Sequence, residues 1–236
     1  MQASIRPAER GYAICTSGRS GSNLLCQYLA STGQLGNPQE YFNPGGCRMF
    51  SDPDFPDEPE KQIERVLSRG ATANGIYGLK ILPAHIDTVS RSIRWTARLP
   101  DLKFVLLKRR DLLGQAVSAL RALQTDQWRS TVTPQGAAVF DGEKIRERLR
   151  VAAREYARWE VFFARNGIEP IVVWYEEMTA DPQAAVDAVG SLFGLQGRVP
   201  IRPDRVSLAM QRDAVSEAWK VRFREEYGGL DELDGV

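Results

Sequence analysis

Histidine and cysteine are scarce in this 236-residue chain: His85 stands alone, and Cys15, Cys26 and Cys47 form no C-x-x-C pair. Those four side chains make a poor metal-ligand set, and each is expected in the core or on plain surface; no metal is expected. An odd cysteine count without paired spacing argues for reduced thiols and a cytoplasmic setting. Net charge is scarce as well. The 31 basic residues are offset by 30 acidic ones, so no bulk field favours nucleic acid or a membrane surface, although one basic cluster suffices for a single anionic ligand. No apolar run approaches the length that crosses a bilayer, and Met1–Arg10 has no apolar signal core, so neither a transmembrane segment nor secretion is expected. The chain shows no internal repeat. It also lacks the Gly-Lys-[Ser/Thr] ending of the Walker loop and the G-x-G-x-x-G dinucleotide fingerprint.

What is present is a strand, a loop of small residues and a helix, in that order. Tyr12 to Cys15 is a short apolar run of the kind buried in a parallel sheet. Thr16 to Gly21 follows, small or turn-forming throughout except for Arg19. From Ser22 to about Ser31 an apolar stripe of Leu24, Leu25, Tyr28 and Leu29 predicts a helix. That succession aims free backbone N–H groups and the helix dipole at an anion, and Arg19 adds a charged fork of donors. It reads as a phosphate or sulfate cradle; the ordinary alternative is a strand–turn–helix junction with a surface arginine.

Further along, Phe42–Pro59 has no period and is expected as a long loop, followed by a short helix over Glu60–Arg69. Gly75–Ile81 predicts a strand with Lys80 at its end, and Pro83 opens a helix reaching Arg98. Lys103–Leu107 is the clearest buried strand, followed by Lys108, Arg109 and Arg110. Asp111 caps the next helix, which runs towards Trp128, and Ser130–Gly142 is a second loop. The longest helix spans Asp141 to about Arg165 and stops at Asn166-Gly167. Pro170–Tyr175 is another apolar strand, and Asp181-Pro182 opens a helix to Phe193. Alternating strands and helices predict one α/β domain over residues 1–236, a three-layer α/β/α sandwich with a mainly parallel sheet. Met1–Arg10 is expected as a loose lead-in. The tail from Pro203, with Ala209, Met210, Ala218, Trp219 and Phe223 at helical spacings, packs on its own domain or on a second subunit of a homodimer. Thr16–Gly21, Lys80 and Lys108–Arg110 all fall at carboxyl ends of strands, where such sheets bind ligands.

Arg19-Ser20-Gly21-Ser22-Asn23 resembles the 5′-phosphosulfate loop of sulfotransferases that use 3′-phosphoadenosine 5′-phosphosulfate (PAPS). Gly36 to Phe42 (G-N-P-Q-E-Y-F) resembles the acceptor loop of the trehalose 2-sulfotransferase-like branch. Leu107–Asp111, Gln115–Ser118 and Gln124–Trp128 resemble that branch's 3′-phosphate segment. The resemblance runs from about Gly11 to the Glu225 region and implies a P-loop-like sulfotransferase fold. It further implies PAPS as donor, PAP as product, and no metal. Arg19, Ser20, Gly21, Ser22 and Asn23 would hold the transferring group, and Arg109 and Ser118 the 3′-phosphate, with Arg110 one residue away as the competing choice. Glu40 would be the general base, with Arg19 stabilising the transferring group. Tyr41, Phe42, Lys80, Gln124 and Trp128 would line the acceptor side, although a strand-end lysine is as readily a solvated terminus and a tryptophan is ordinarily core. The intervals Phe50–Ala73 and Ser130–Gly142 depart from the trehalose-specific pattern, so the expected acceptor is a hydroxyl on a sugar, glycolipid or similar small polar metabolite. Two rivals share the cradle: a nucleotide kinase, which the missing Gly-Lys-[Ser/Thr] disfavours, and a binding module without catalysis.

Overall fold

The computed structural model describes residues 8–208, 213–231 and 233. Residues 1–7 of the expected lead-in, and Ala209 and Met210 of the expected tail, lie outside them. At the centre stands β1 (Arg10–Cys15), in which Tyr12, Ala13, Ile14 and Cys15 have no exposed surface. Arg10, expected in the lead-in, is already its first residue. Tyr12 and Ile14 join the core on one face of the sheet, Ala13 and Cys15 that on the other, as the two-residue period of a strand requires.

The chain then forms α1 (Ser22–Ser31), α2 (Pro44–Phe50) and α3 (Pro59–Arg69) before β2 (Ile76–Ile81). After α4 (Pro83–Val89) and a 3₁₀ turn (Trp95–Arg98) comes β3 (Leu102–Lys108). There follow α5 (Leu112–Thr125), α6 (Gly142–Asn166), β4 (Ile171–Trp174), α7 (Tyr175–Ala180), α8 (Pro182–Ser191) and α9 (Ala214–Tyr227). The strand order is β2-β1-β3-β4 with every neighbouring pair parallel. Leu25, Leu29, Val186 and Val189 cover one face from α1 and α8; Val66, Trp159 and Phe163 cover the other from α3 and α6. This is the expected three-layer arrangement. Strand order reverses beside β1, leaving a crevice at the carboxyl ends of β1 and β3.

Helix starts follow the sequence closely, because aspartates cap them. Asp111, Asp141 and Asp181 accept from the amides of Gly114, Lys144 and Ala184 at 2.8, 3.0 and 3.0 Å. Gly167, at φ 60, closes α6. Three expectations are corrected. Phe42–Pro59 is not all loop, since Asn43 caps α2 by accepting from the Gly46 amide at 3.1 Å; two glycines in seven residues hid the helix. The helix from Pro83 stops at Val89, and the chain turns so that Trp95 is buried edge-on to Phe42, 5.9 Å away. Tyr175 opens α7 instead of closing β4. The apolar strand itself forms where it was expected and lies at the sheet edge, with Val172 46% exposed.

The described part of the tail packs on its own chain. Trp219 and Phe223 of α9 bury against Val117 and Leu120 of α5 and Ile145 of α6. Among the described residues no helix is long and apolar enough to cross a membrane. Truncating Trp219 to alanine should lower unfolding stability by about 3 kcal/mol, the usual cost of deleting a buried aromatic; urea denaturation showing a loss below about 1 kcal/mol would contradict this packing.

Candidate active site

The loop after β1 is held from beneath by buried hydrogen bonds. Thr16 Oγ1 lies 2.9 Å from the Leu107 carbonyl and 2.7 Å from Ser20 Oγ. Trp159 Nε1 of α6 donates to the Thr16 carbonyl at 2.9 Å, and Gln115 Nε2 of α5 to the Gly18 carbonyl at 2.7 Å. Above this base the backbone enters left-handed space twice, at Arg19 (φ 63) and at Gly21 (φ 88). Gly21 is the N-cap of α1 and supplies no side-chain cap; the Leu24 amide is taken by the Gly21 carbonyl at 3.0 Å, which leaves the amides of Ser22 and Asn23, both cavity-lining residues, for an anion. A Cβ at Gly21 would come within 2.3 Å of the Tyr175 ring. Both the conformation and the close ring therefore demand glycine.

Two guanidiniums share this end. Arg19 donates from Nε to Ser118 Oγ at 2.9 Å and from Nη1 to the Trp128 carbonyl at 2.6 Å. Burial, and then the charge of Arg109, lower its pKa to about 10. Arg109 lies over the Tyr175 ring, 4.8 Å from its centroid, and donates from Nη1 to the Arg19 carbonyl at 3.4 Å. Its Nη2 is 3.5 Å from Asp111, but its buried Nε has no partner. Arg110, the competing choice, is half exposed, pairs with Glu177 and lies over Trp174. Of the two arginines, Arg109 is the one facing the cavity.

The other end is built around Lys80, which is 3% exposed although it sits in a strand. Its backbone N–H donates to the Gln39 carbonyl at 2.8 Å, fixing the segment before α2 against the edge of β2. Its ammonium lies 2.6 Å from Glu40 Oε1 and donates to Asn23 Oδ1 at 2.5 Å. Glu40 Oε2 accepts from Asn43 Nδ2 at 2.7 Å and has His85 Nε2 3.9 Å away. Burial alone would raise the Glu40 pKa, but Lys80, Asn43 and His85 outweigh it and hold the carboxyl at about 2. The buried imidazole is itself shifted down, with Glu40 opposing the shift.

Both ends open on one cavity of about 810 Å³, ample for a nucleotide-sized ligand with a small partner. Arg19, Arg69, Lys80, Arg109 and Arg129 line it against the single carboxylate of Glu40 among the described lining residues. Gly21, Ser22, Asn23, Ser118 and Trp128 also reach it. Four expected site residues do not. The Ser20 hydroxyl is spent on Thr16 in the base of the loop. Tyr41 and Phe42 are core, the first donating to the Asn37 carbonyl at 2.9 Å and the second packed on Trp95. Gln124 is tied by two hydrogen bonds, 2.9 and 3.0 Å, to the backbone of Val139. Sequence reasoning missed Tyr175, His85, Asn43 and Arg129; Tyr175 alone carried a usable signal, its place at the carboxyl end of a strand.

The sequence model of the Stf0 sulphotransferase family matches residues 11–226. The chain belongs to that family. Two relatives named trehalose 2-sulfotransferase support this. One, from Mycobacterium tuberculosis, is 29% identical over 96% of this chain and 97% of its own length. The other, from Mycolicibacterium smegmatis, is 25% identical over 91% of this chain and 94% of its own. A crystal structure of a sulfotransferase from Alicyclobacillus acidocaldarius superposes with TM-score 0.48 at 18% identity, covering 95% of this chain and 96% of that one. The reaction class of this Stf0 sulfotransferase is therefore sulfuryl transfer. Among its described residues no group of three or more His, Cys, Asp or Glu side chains is placed to hold a metal.

In this sulfotransferase the Gly21→Ala substitution should cost about 2 kcal/mol or more, from left-handed strain plus displacement of Tyr175. A melting temperature equal to wild type would show that the loop is not held as described.

Proposed function

We propose that the protein transfers the sulfuryl group of PAPS to a hydroxyl of a carbohydrate-like acceptor, with Glu40 as general base. The observation that carries the reading is the pairing of two like charges, Arg19 and Arg109, at the open amino end of α1, with Arg109 Nε buried and unpartnered. Neighbouring buried cations repel, and an anion with several oxygens relieves both that repulsion and the orphaned donor. The donor fits these residues: Arg19 and the amides of Gly21, Ser22 and Asn23 would face its sulfuryl end, Arg109 and Ser118 its 3′-phosphate. When bound, it supplies an activated sulfuryl group whose leaving phosphate carries its own charge to protein cations.

Transfer of this kind passes through a loose transition state with charge spread over three equatorial oxygens. The amides at the start of α1 are fixed before the reaction begins, so their stabilisation needs no reorganisation. Glu40 takes the proton of the acceptor hydroxyl. At rest its basicity is suppressed by Lys80, whose ammonium is shared with Asn23 in the first turn of α1. Sulfuryl oxygens that draw Lys80 towards the loop loosen its hold on Glu40 and raise the basicity of the carboxylate when it is needed. The names of the two mycobacterial relatives favour a sugar hydroxyl as acceptor.

A transfer assay from labelled PAPS to a panel of sugars and glycolipids tests the proposal. Glu40→Gln should lower kcat by ~10²- to 10⁴-fold while the stabilisation by PAP, ~2.7 kcal/mol at 100 times its Kd, persists. PAP that leaves the melting temperature unmoved would end the donor assignment; binding without transfer to any acceptor would leave a module devoid of catalysis. The pH dependence is a separate test. Because the folded pKa of Glu40 is depressed to about 2, the base stays ionised far below the ordinary carboxylate range. The acid limb of kcat/KM should therefore fall below pH 4, and Lys80→Met should shift it upward. The same depression stabilises the fold fully above the unfolded carboxyl pKa and is lost as pH falls from there through about 2. An acid limb near pH 4.5 in both proteins would contradict the Lys80–Glu40 coupling.

A further inference from the structure

We infer that the acceptor itself carries an anionic group, a carboxylate or a phosphate ester, and that Arg129 receives it while Glu40 engages the hydroxyl. The inference rests on the transfer reading above and concerns the acceptor end of the same cavity. Among the cavity's cations, Arg69 is paired with Asp52, Lys80 with Glu40 and Arg109 with Asp111. Arg19 is fastened to Ser118 and Trp128. Arg129 is different. Among the described residues its guanidinium forms no ion pair and no hydrogen bond; it lies over the Phe50 ring, 4.0 Å from the centroid, half-buried in the cavity wall.

Its position assigns it to the acceptor. Phe50 is the last residue of α2, whose N-cap Asn43 holds Glu40. Burial lowers the pKa of Arg129, and the Glu40 carboxylate, the charged group of that end, opposes the shift. A ring face orients a guanidinium and leaves its N–H edge free for a planar anion. Half-burying a cation without a carboxylate is unfavourable unless a ligand supplies one. The rival role is mechanical: Arg129 on Phe50 would clamp the segment after α5 to α2 and choose nothing.

Isothermal titration of the PAP-loaded protein with glucose, glucuronate and glucose 6-phosphate separates these roles. Both anionic probes should bind at least about 10-fold tighter than glucose, the gain of one charge-assisted contact. Arg129→Gln should abolish the difference while glucose and PAP affinities stay within about twofold, and Arg129→Lys should retain part of it. Failure of both anionic probes to outbind glucose would overturn the inference. So would a preference that survives Arg129→Gln, or a parallel loss for all three probes, which is the clamp. Loss of PAP affinity in Arg129→Gln would place the residue at the donor end and overturn it too. If PAP does not bind at all, the transfer reading fails separately. The same probes on unliganded protein then decide the role of Arg129, with Arg109→Gln controlling for phosphate in the donor cradle.

Discussion

One buried ammonium sets the geometry of the whole crevice. Lys80 stands in β2 opposite Ile14 of β1, so the parallel register places it one residue short of the strand end, level with the start of the loop that β1 feeds. Removing a lysine from water costs several kcal/mol unless an opposite charge and hydrogen bonds compensate it. Here Glu40 on one side and Asn23 on the other do so, two groups that belong to different segments. Glu40 lies in irregular chain between α1 and α2, where no helix or strand could fix a carboxylate. Its position is instead imposed twice by the same residue, through the Lys80 N–H bonded to the Gln39 carbonyl and through the ammonium itself. The sheet's hydrogen-bond register is thus converted into the position of a side chain outside the sheet.

The opposite end works by conflict rather than by pairing. Arg19 and Arg109 are brought together by elements that have their own reasons to be where they are: the loop pinned by Thr16 and Gln115, and β3 ending beside Tyr175. The folded chain therefore carries a repulsion that an anionic ligand removes. Such an arrangement favours ligand over no ligand more than it favours any one geometry, and the amides of α1 supply the geometry. The two ends differ in logic, and Lys80 links them because Asn23 belongs to the first turn of the same helix.

The fold was legible where each local signal agreed with the global one. Tyr12–Cys15 and the aspartate caps declared themselves because burial on two faces and an unsatisfied helix end each leave a mark in the residue types. The strand–loop–helix succession after Cys15 was legible for the same reason, with Gly21 standing where the backbone turns left-handed. Side-chain facing was not legible in the acceptor segment. Glu40, Tyr41 and Phe42 are consecutive, yet the first opens on the cavity and the next two are core, since an irregular segment has no period from which a face can be read. Gln124 misled for a different reason, because a helix-end glutamine can serve backbone as well as ligand, and Val139 lies fifteen residues further on. Arg109 and Arg110 are chemically identical in sequence; only the turn of the chain after β3 sends one inward and the other to Glu177.

That division has a consequence for how acceptors diverge. The proposed donor end is built from α1, α5 and the turn after β3, whose positions are locked by the core and by Ser118 and Gln115 within a regular helix. The proposed acceptor end is built from residues 37–43, α2 and residues 126–130, which sit on the rim and are joined across it by Arg129 and Phe50. Rim side chains that do not touch Arg19 can change without disturbing the core or the loop after β1. Trp128 and Arg129 show how narrow the boundary is: the carbonyl of the first fixes Arg19, and the side chain of the second faces the acceptor end. Neighbouring residues thus serve the two ends through different groups, the Trp128 main chain towards Arg19 and the Arg129 side chain towards Phe50.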